Sequence, residues 1–340
     1  MLYNKYRPQK ISELVGQPSI ANFLLKTTPD NYPHTIIFHG ESGVGKTTAA
    51  RLFLKKMYCM SPTPNGDVCG TCVNCRAIET NPDSVFDYTE MDAASNSSVN
   101  DIRELKDRTQ FQTFEDKPRI IYIDEAHALS KQAFDALLKI TEDASSNIFI
   151  LATTQLDKIP KTIQTRAIKL EFTAPSTEVL SEFVGLVARK EGRALDADCA
   201  KAIAFFSDSS YRESLTVLEK ILSGVDNERI SLELVSNLGV FSSREEIDAI
   251  REFPRLYYAY KYGDILLLLS KLESSEQVYK NFAYYMYNLV KKGYLTGKLN
   301  KQEDLLFLSK LSQLLSDPIT KVTRAALENI IFEVILNGKR

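Results

Sequence analysis

The sequence predicts an α/β phosphate-binding domain built on a parallel sheet, followed by two all-helical domains. Three observations carry this. Gly40-Glu41-Ser42-Gly43-Val44-Gly45-Lys46-Thr47 fits the pattern G-x-x-x-x-G-K-[ST] and stands between a strand-like and a helix-like segment. Up to residue 172, short apolar runs alternate with helical patterns, as in a parallel sheet covered on both faces. From Thr173 the strand pattern stops and helical spacing takes over.

Taken in order, His34 to His39 reads as a short buried strand and Thr48 to Met57 as the helix after the loop. Val85 to Met91 reads as a strand, Val99 to Gln110 as a helix, and Arg119 to Asp124 as an apolar strand. Lys131 to Asp143 is a helix, Asn147 to Ala152 a strand, and Ile168 to Phe172 a last short strand. Ala174-Pro175-Ser176-Thr177 breaks the chain. Helices over Thr177 to Gly192, Asp196 to Phe206 and Tyr211 to Ser223 make a small domain ending near Leu238-Gly239. Five more helices are expected: Ser243 to Phe253, Tyr257 to Glu273, Ser275 to Lys292, Lys301 to Leu315 and Lys321 to Leu336. The expected domains are residues 1–172, 173–239 and 240–340. The last is rich in tyrosine, from Tyr257 to Tyr294, and these rings read as packing and interface residues rather than a base-stacking platform.

With 340 residues, 44% hydrophobic and 25% charged, the chain has the balance of a globular protein too long for one core. A net charge of −2 does not advertise nucleic-acid binding, although a local basic surface is compatible with it. No apolar run approaches the roughly 18 residues a membrane helix needs. The first residues, Met1 to Pro8, lack the apolar stretch of a secretion signal, so the cytoplasm is expected.

The chemistry of the glycine loop follows from its setting. Backbone N–H groups of the loop and the helix start at Thr48 face an anion. Lys46 would reach the β/γ-phosphates and the Thr47 hydroxyl would ligate Mg²⁺. Ile120-Ile121-Tyr122-Ile123-Asp124-Glu125-Ala126-His127 supplies the other half of a nucleotide site. An apolar strand can deliver Asp124 to the Mg²⁺ shell, and Glu125 would polarise an attacking water.

Four of the five cysteines cluster: Cys59, Cys69, Cys72 and Cys75. In a reducing compartment this favours a metal over disulfides. Cys69-x-x-Cys72-x-x-Cys75 puts three thiolates on one tight loop, eased by Gly70, and Cys59 can close a tetrahedral zinc site. Free thiols are the alternative. Four thiolates leave no open position, so the zinc would staple an inserted loop, 59–75. Cys199 stands alone and reads as a small buried hydrophobe.

The chain resembles the gamma/tau subunit of bacterial DNA polymerase III, an AAA+ clamp-loader ATPase. The segments that carry the resemblance are Lys5-Tyr6-Arg7-Pro8, Leu14-Val15-Gly16-Gln17, the cysteine loop after the phosphate-loop helix, Asp92-Ala93-Ala94-Ser95-Asn96 and Asp101-Ile102-Arg103-Glu104-Leu105. Asp124 to Ser130, Leu151-Ala152-Thr153-Thr154, Ser209 to Leu215 and Thr323 to Glu328 extend it. The resemblance implies an AAA+ nucleotide domain, a helical lid domain (173–239) and a helical collar domain (240–340) that oligomerises. ATP is the implied nucleotide. Arg7, Pro8 and Val15 would frame the adenine. Thr154 would read the γ-phosphate, and Arg212 would contact nucleotide from the lid. Thr165-Arg166-Ala167 sits where the family carries Ser-Arg-Cys, so Arg166 would be the arginine finger offered to a neighbour's ATP; a solvated arginine is the plainer reading.

In this family short helix N-termini track template DNA. Ser97, Ser98 and Asn100 open a helix that carries Arg103, which suits phosphate contact without sequence readout. A capped surface helix is the alternative. The implied partners are other clamp-loader subunits, in a pentameric assembly, a sliding clamp and primer–template DNA, with no membrane. ATP binding would open the clamp and grip DNA, and hydrolysis would release it. Ending at Arg340 without longer tails, the chain is expected to be a short, gamma-like or phage-type version. A non-hydrolysing stator subunit and an AAA+ DNA-translocating helicase are the competing readings.

Overall fold

The computed structural model describes residues 1–340 apart from 110–112, 114–116, 143–145, 208, 237–243, 273–275, 296, 300, 317–320 and 338–340. The chain falls into two compact units: Met1–Phe183 with Ser207–Thr216, and Val184–Phe206 with Val217–Arg340.

In the first unit, helices α1 (Leu2–Lys5) and α2 (Pro18–Lys26) precede strand β1 (Thr35–His39) and helix α3 (Lys46–Tyr58). Then come α4 (Val73–Thr80), β2 (Tyr88–Asp92), α5 (Val99–Thr109), β3 (Arg119–Asp124), α6 (Lys131–Glu142), β4 (Asn147–Thr153), α7 (Lys161–Gln164) and β5 (Ile168–Glu171). The five strands form one parallel sheet in the order β2-β3-β4-β1-β5. Alternation sends successive residues of a strand to opposite faces. Ile120, Tyr122, Ile148 and Ile150 join Phe38 and the α3 residues Leu52 and Phe53 in one core. Ile121, Ile123, Phe149 and Leu151 join Ile102 of α5 and Leu137 of α6 in the other. Both faces are covered, which is why β3 and β4 read as unbroken apolar runs.

Helices α8 (Thr177–Lys190) and α10 (Tyr211–Gly224) give residues to both units. The second unit also holds β6 (Ala194–Leu195), α9 (Ala197–Phe206), β7 (Arg229–Ile230) and α11 (Leu232–Ser236). Beyond these lie α12 (Arg244–Tyr258), α13 (Tyr262–Lys271), α14 (Glu276–Leu295), α15 (Gln302–Ser316) and α16 (Arg324–Asn337). Phe253, Tyr257, Phe282 and Phe307 centre its core. The Tyr257 hydroxyl donates to the buried Asp304 carboxylate at 3.1 Å, so this tyrosine is a packing residue with a satisfied polar tip. Cys199 is fully buried, as its apolar reading requires.

Several expected boundaries move, each for a visible reason. Helix α3 starts at Lys46 because Gly45, in the left-handed region, caps it directly. Strand β2 starts at Tyr88, after a turn in which the Tyr88 N–H donates to the Val85 carbonyl, and Phe86 stays exposed. Strand structure does not end at Thr173: β6 and β7 pair in parallel, but two residues are too few to show a period. Helix α12 runs through Pro254 and ends only where Tyr260 turns left-handed (φ 53°). There the Lys261 N–H donates to the Leu256 carbonyl, closing the helix end. Helix α13 therefore begins at Tyr262, not Tyr257. The cysteine segment is not one loop: Cys72 caps α4 and Cys75 lies inside that helix. Helices α1, α2, α4 and α11 carried too few periodic residues to be read. The boundary at Leu238-Gly239 lies outside the described residues.

Candidate functional site

In a parallel sheet ligands bind beyond the carboxyl ends of the strands. β1 delivers the glycine loop at that edge. β3 delivers Asp124, and β4, hydrogen-bonded to both, ends at Thr153 between them. The edge opens into a cleft that encloses about 910 Å³ of space, part of it open solvent. Ser42 to Thr48, Asp124 and Glu125 line it. Arg7, Pro8, Val15 and Arg212, all expected at a nucleotide, line it as well.

Besides the left-handed Gly45, the loop needs glycine at two points where a side chain has no room. Gly43 is left-handed (φ 73°), and a Cβ there would collide with the Ser210 side chain. Gly40 (φ 149°) packs against the Phe172 carbonyl, where a Cβ has no room. Lys46 is nearly buried, and its ammonium donates to the carbonyls of Gly40 (2.8 Å) and Glu41 (2.7 Å). Burial lowers its pKa, despite the opposing pull of Glu125, Asp124 and Glu41. Arg7 is lowered too, first by burial and then by the positive charge of Arg51 and Arg212. Three cations around one cleft make it receptive to a polyanion.

The Thr47 hydroxyl lies 3.3 Å from an Asp124 carboxylate oxygen, and Asp124 also accepts the Glu125 N–H at 3.0 Å. A hydroxyl and a carboxylate meeting at the lysine are the donor set of a hard divalent cation such as Mg²⁺. Sequence reasoning missed Tyr122, whose hydroxyl donates to Thr47 Oγ1 at 3.1 Å. The signal was available, since position i−2 in a strand shares the face of Asp124. Glu125 is held left-handed (φ 46°), a conformation unfavourable for a residue with a Cβ. Its Oε2 lies 3.3 Å from Nδ1 of His127, which also contacts Thr153 Oγ1 at 3.2 Å. Oε2 is buried and accepts no hydrogen bond among the described residues. Tyr3, Tyr6, Leu14, Gln17, Phe183, Tyr211 and Leu215 complete the cleft; Tyr6, Leu14, Gln17, Tyr211 and Leu215 lie in segments that carry the resemblance, whereas Tyr3 and Phe183 left only isolated aromatic positions to read.

Four residues expected at a nucleotide do not line the cleft: Gly40, Glu41, Thr154 and Arg166. Thr154 follows β4. Arg166, about half exposed, follows α7 and pairs with Glu142 of α6. The helix at the expected DNA contact is α5. Ser98 caps it through a reciprocal box, giving its N–H (2.8 Å) and hydroxyl (2.7 Å) to Asp101 while taking the Asp101 N–H at 3.3 Å. Asn100 accepts from Arg103 at 3.3 Å; both are exposed, and Ser97 is half-buried.

The cysteine cluster assembles as the sequence implies. The sulfurs of Cys59, Cys69, Cys72 and Cys75 all lie within 4.8 Å of one another, with Cys69 and Cys75 3.9 Å apart. Zn–S bonds of about 2.3 Å place tetrahedral sulfurs about 3.8 Å apart, so the donor set and spacing fit zinc. Backbone N–H groups of Thr71 (3.4 Å) and Cys72 (3.3 Å) point at the Cys69 sulfur and bring its pKa down to about 6.

The family described as DNA polymerase III, delta subunit, matches residues 16–176. The DNA polymerase III subunit gamma/tau of Mycoplasma pneumoniae is 39% identical over 234 residues, covering 68% of this chain and 34% of that protein. The gamma/tau subunit of Mycoplasma genitalium is 33% identical over 292 residues, 85% of this chain and 47% of that protein. The gamma subunit of Buchnera aphidicola is 34% identical over 228 residues, 64% of this chain and 60% of that protein. This chain thus spans about a third to three-fifths of the length of these relatives. Among solved structures, a Thermotoga maritima RuvB mutant superposes with a TM-score of 0.52 at 18% identity, covering 74% of this chain and 81% of its own; that likeness shows the AAA+ fold alone. Matched on sequence over most of its own length, the chain is a relative of the bacterial DNA polymerase III gamma/tau subunits.

Proposed function

We propose that the chain is an ATPase subunit of a DNA polymerase sliding-clamp loader. The approach of the Thr47 hydroxyl to Asp124, beside Lys46 and Glu125, carries the reading. Thr47 and Asp124 would hold Mg²⁺, which would supply positive charge to the phosphates. Lys46 and the N–H groups from Gly40 to Thr48 bind the phosphates. Arg7, Pro8 and Val15 hold the base, and Glu125 accepts the proton of the attacking water. Thr154 senses the γ-phosphate, Arg212 closes on it from the lid, and Arg166 serves a neighbouring subunit. The division into residues 1–172, 173–239 and 240–340 as nucleotide, lid and collar domains belongs to the same reading, as do a pentameric assembly and work in the cytoplasm. Intact Lys46, Thr47, Asp124 and Glu125 disfavour a non-hydrolysing stator. The test is ATP turnover measured alone, with primed DNA, and with primed DNA plus a sliding clamp. Stimulation only in the last two supports a loader, and no turnover under any of them refutes it. No helix among the described residues is long and apolar enough to cross a membrane.

Zinc on the four cysteines is part of the proposal. Elemental analysis should find about one zinc per chain. Chelation should lower the Tm, because binding such a metal is coupled to folding. Metal-free protein with an unchanged Tm and four reactive thiols would rule it out.

For DNA, the capping box leaves Arg103 as the cation best placed to touch phosphate, since Ser98 is committed to Asp101. Log affinity for primed duplex should fall with log salt at about −0.9 per phosphate neutralised. Arg103→Ala should weaken all sequences alike and flatten that slope, sparing DNA-independent turnover. An unaltered slope in the variant would move the DNA track elsewhere.

A further inference from the structure

The cysteine insertion and the cleft are joined by one buried carboxylate. Asp67, 7% exposed, lies two residues before Cys69. Its Oδ1 accepts the N–H groups of Ile11 (2.9 Å) and Val68 (2.7 Å), and its Oδ2 accepts that of Ser12 (3.1 Å). The insertion fixes Asp67 from behind: its own N–H donates to Thr63 Oγ1 at 3.0 Å, and its carbonyl accepts the Thr63 N–H at 2.8 Å. Two further contacts flank it. The Lys55 ammonium of α3 donates to the Gln9 side chain, and the Lys56 ammonium to the Gly66 carbonyl.

The segment so gripped is short and stiff. Residues Ile11–Glu13 form a single 3₁₀ turn, closed by the Glu13 carboxylate on the N–H groups of Gln9 (2.8 Å) and Lys10 (3.3 Å). Arg7 and Pro8 lie just before it, Leu14 and Val15 just after, and all four line the cleft. Tyr3 and Tyr6 line it too, so this N-terminal segment supplies the cleft with aromatic and apolar side chains. A flat heteroaromatic base belongs against such side chains, and the phosphates against the glycine loop.

We propose that the 59–75 insertion is a brace for the base-binding wall of the cleft, with Asp67 as the positioning residue that transmits it. This rests on the nucleotide reading above. It gives the insertion a role within its own subunit: holding residues 7–15 where a base can stack. Asp67 touches no nucleotide; it acts through Ile11 and Ser12.

The test compares Mg²⁺–ATP with Mg²⁺–tripolyphosphate, which carries the phosphates and lacks the base. Asp67→Asn puts an amide where three N–H donors converge. ATP affinity should fall about tenfold, the equivalent of one hydrogen bond to a charged group. Tripolyphosphate affinity should stay within about twofold of wild type, and turnover at saturating ATP should hold while KM rises. Thr63→Val, which removes only the hydroxyl behind Asp67, should shift ATP affinity the same way by less, and serves if Asp67→Asn does not fold. Equal loss for both ligands would mean that Asp67 merely supports the fold, and unchanged ATP affinity would mean that the wall stands without it; either overturns the proposal. Wild-type protein that binds neither ligand would remove the nucleotide reading itself.

Discussion

Lys46→Ala should abolish ATP turnover and leave the apo fold almost intact. The ammonium is nearly buried and spends its donors on the Gly40 and Glu41 carbonyls, holding the loop in shape. The two lost bonds are charge-assisted, but removing the ammonium also relieves its burial, so the net cost should be small, and alanine suits a first helical turn. The phosphates, by contrast, lose the cation that neutralises charge as it moves onto the leaving oxygen. Two measurements separate these effects. Apo Tm should lie close to wild type, and the ATP-induced rise in stability, about 2.7 kcal/mol at 100 times Kd, should disappear. Wild-type turnover in the variant would end the assignment.

Arg166→Ala should bind ATP normally and hydrolyse it slowly, by about 10³–10⁵-fold if the finger behaves as in GTPases. Within its own chain Arg166 is committed to Glu142, and both partners are about half exposed. Exposed pairs contribute about 0–1 kcal/mol, so releasing the arginine toward a neighbour costs little. Glu142→Ala should therefore leave the assembled rate intact or raise it. Mixing Arg166→Ala with Lys46→Ala chains distinguishes the routes: sites served by an intact neighbour should recover. If each competent site turns over at one rate whatever stands beside it, the trans role is wrong.

How much the sequence revealed varied with the length of the signal. The glycine loop, Asp124, Glu125 and the cysteine quartet were legible because each couples residue type to spacing, and the sheet followed from apolar runs at both-face burial. What escaped depended on a few residues or on distant partners. The left-handed Tyr260 that ends α12, the two-residue strands β6 and β7, and the short helices α1 and α4 leave no period to read. The ion pair that holds Arg166 and the capping of Ser98 by Asp101 are matters of proximity. Asp67 shows why proximity is hard to foresee: its partners Ile11 and Ser12 stand 56 and 55 positions away and offer only backbone N–H groups, which every residue has.

The backbone of Glu125 carries a lesson for anyone who screens this chain for robustness. A left-handed non-glycine residue costs on the order of 1 kcal/mol, and its buried Oε2 lacks a hydrogen bond among the described residues. Glu125→Gly would remove both penalties at once. A selection for heat resistance alone should therefore drift toward that substitution, enriching survivors that melt later and turn over nothing. Thermal tolerance and turnover pull against each other at this one position, so only a selection that scores both would retain the glutamate.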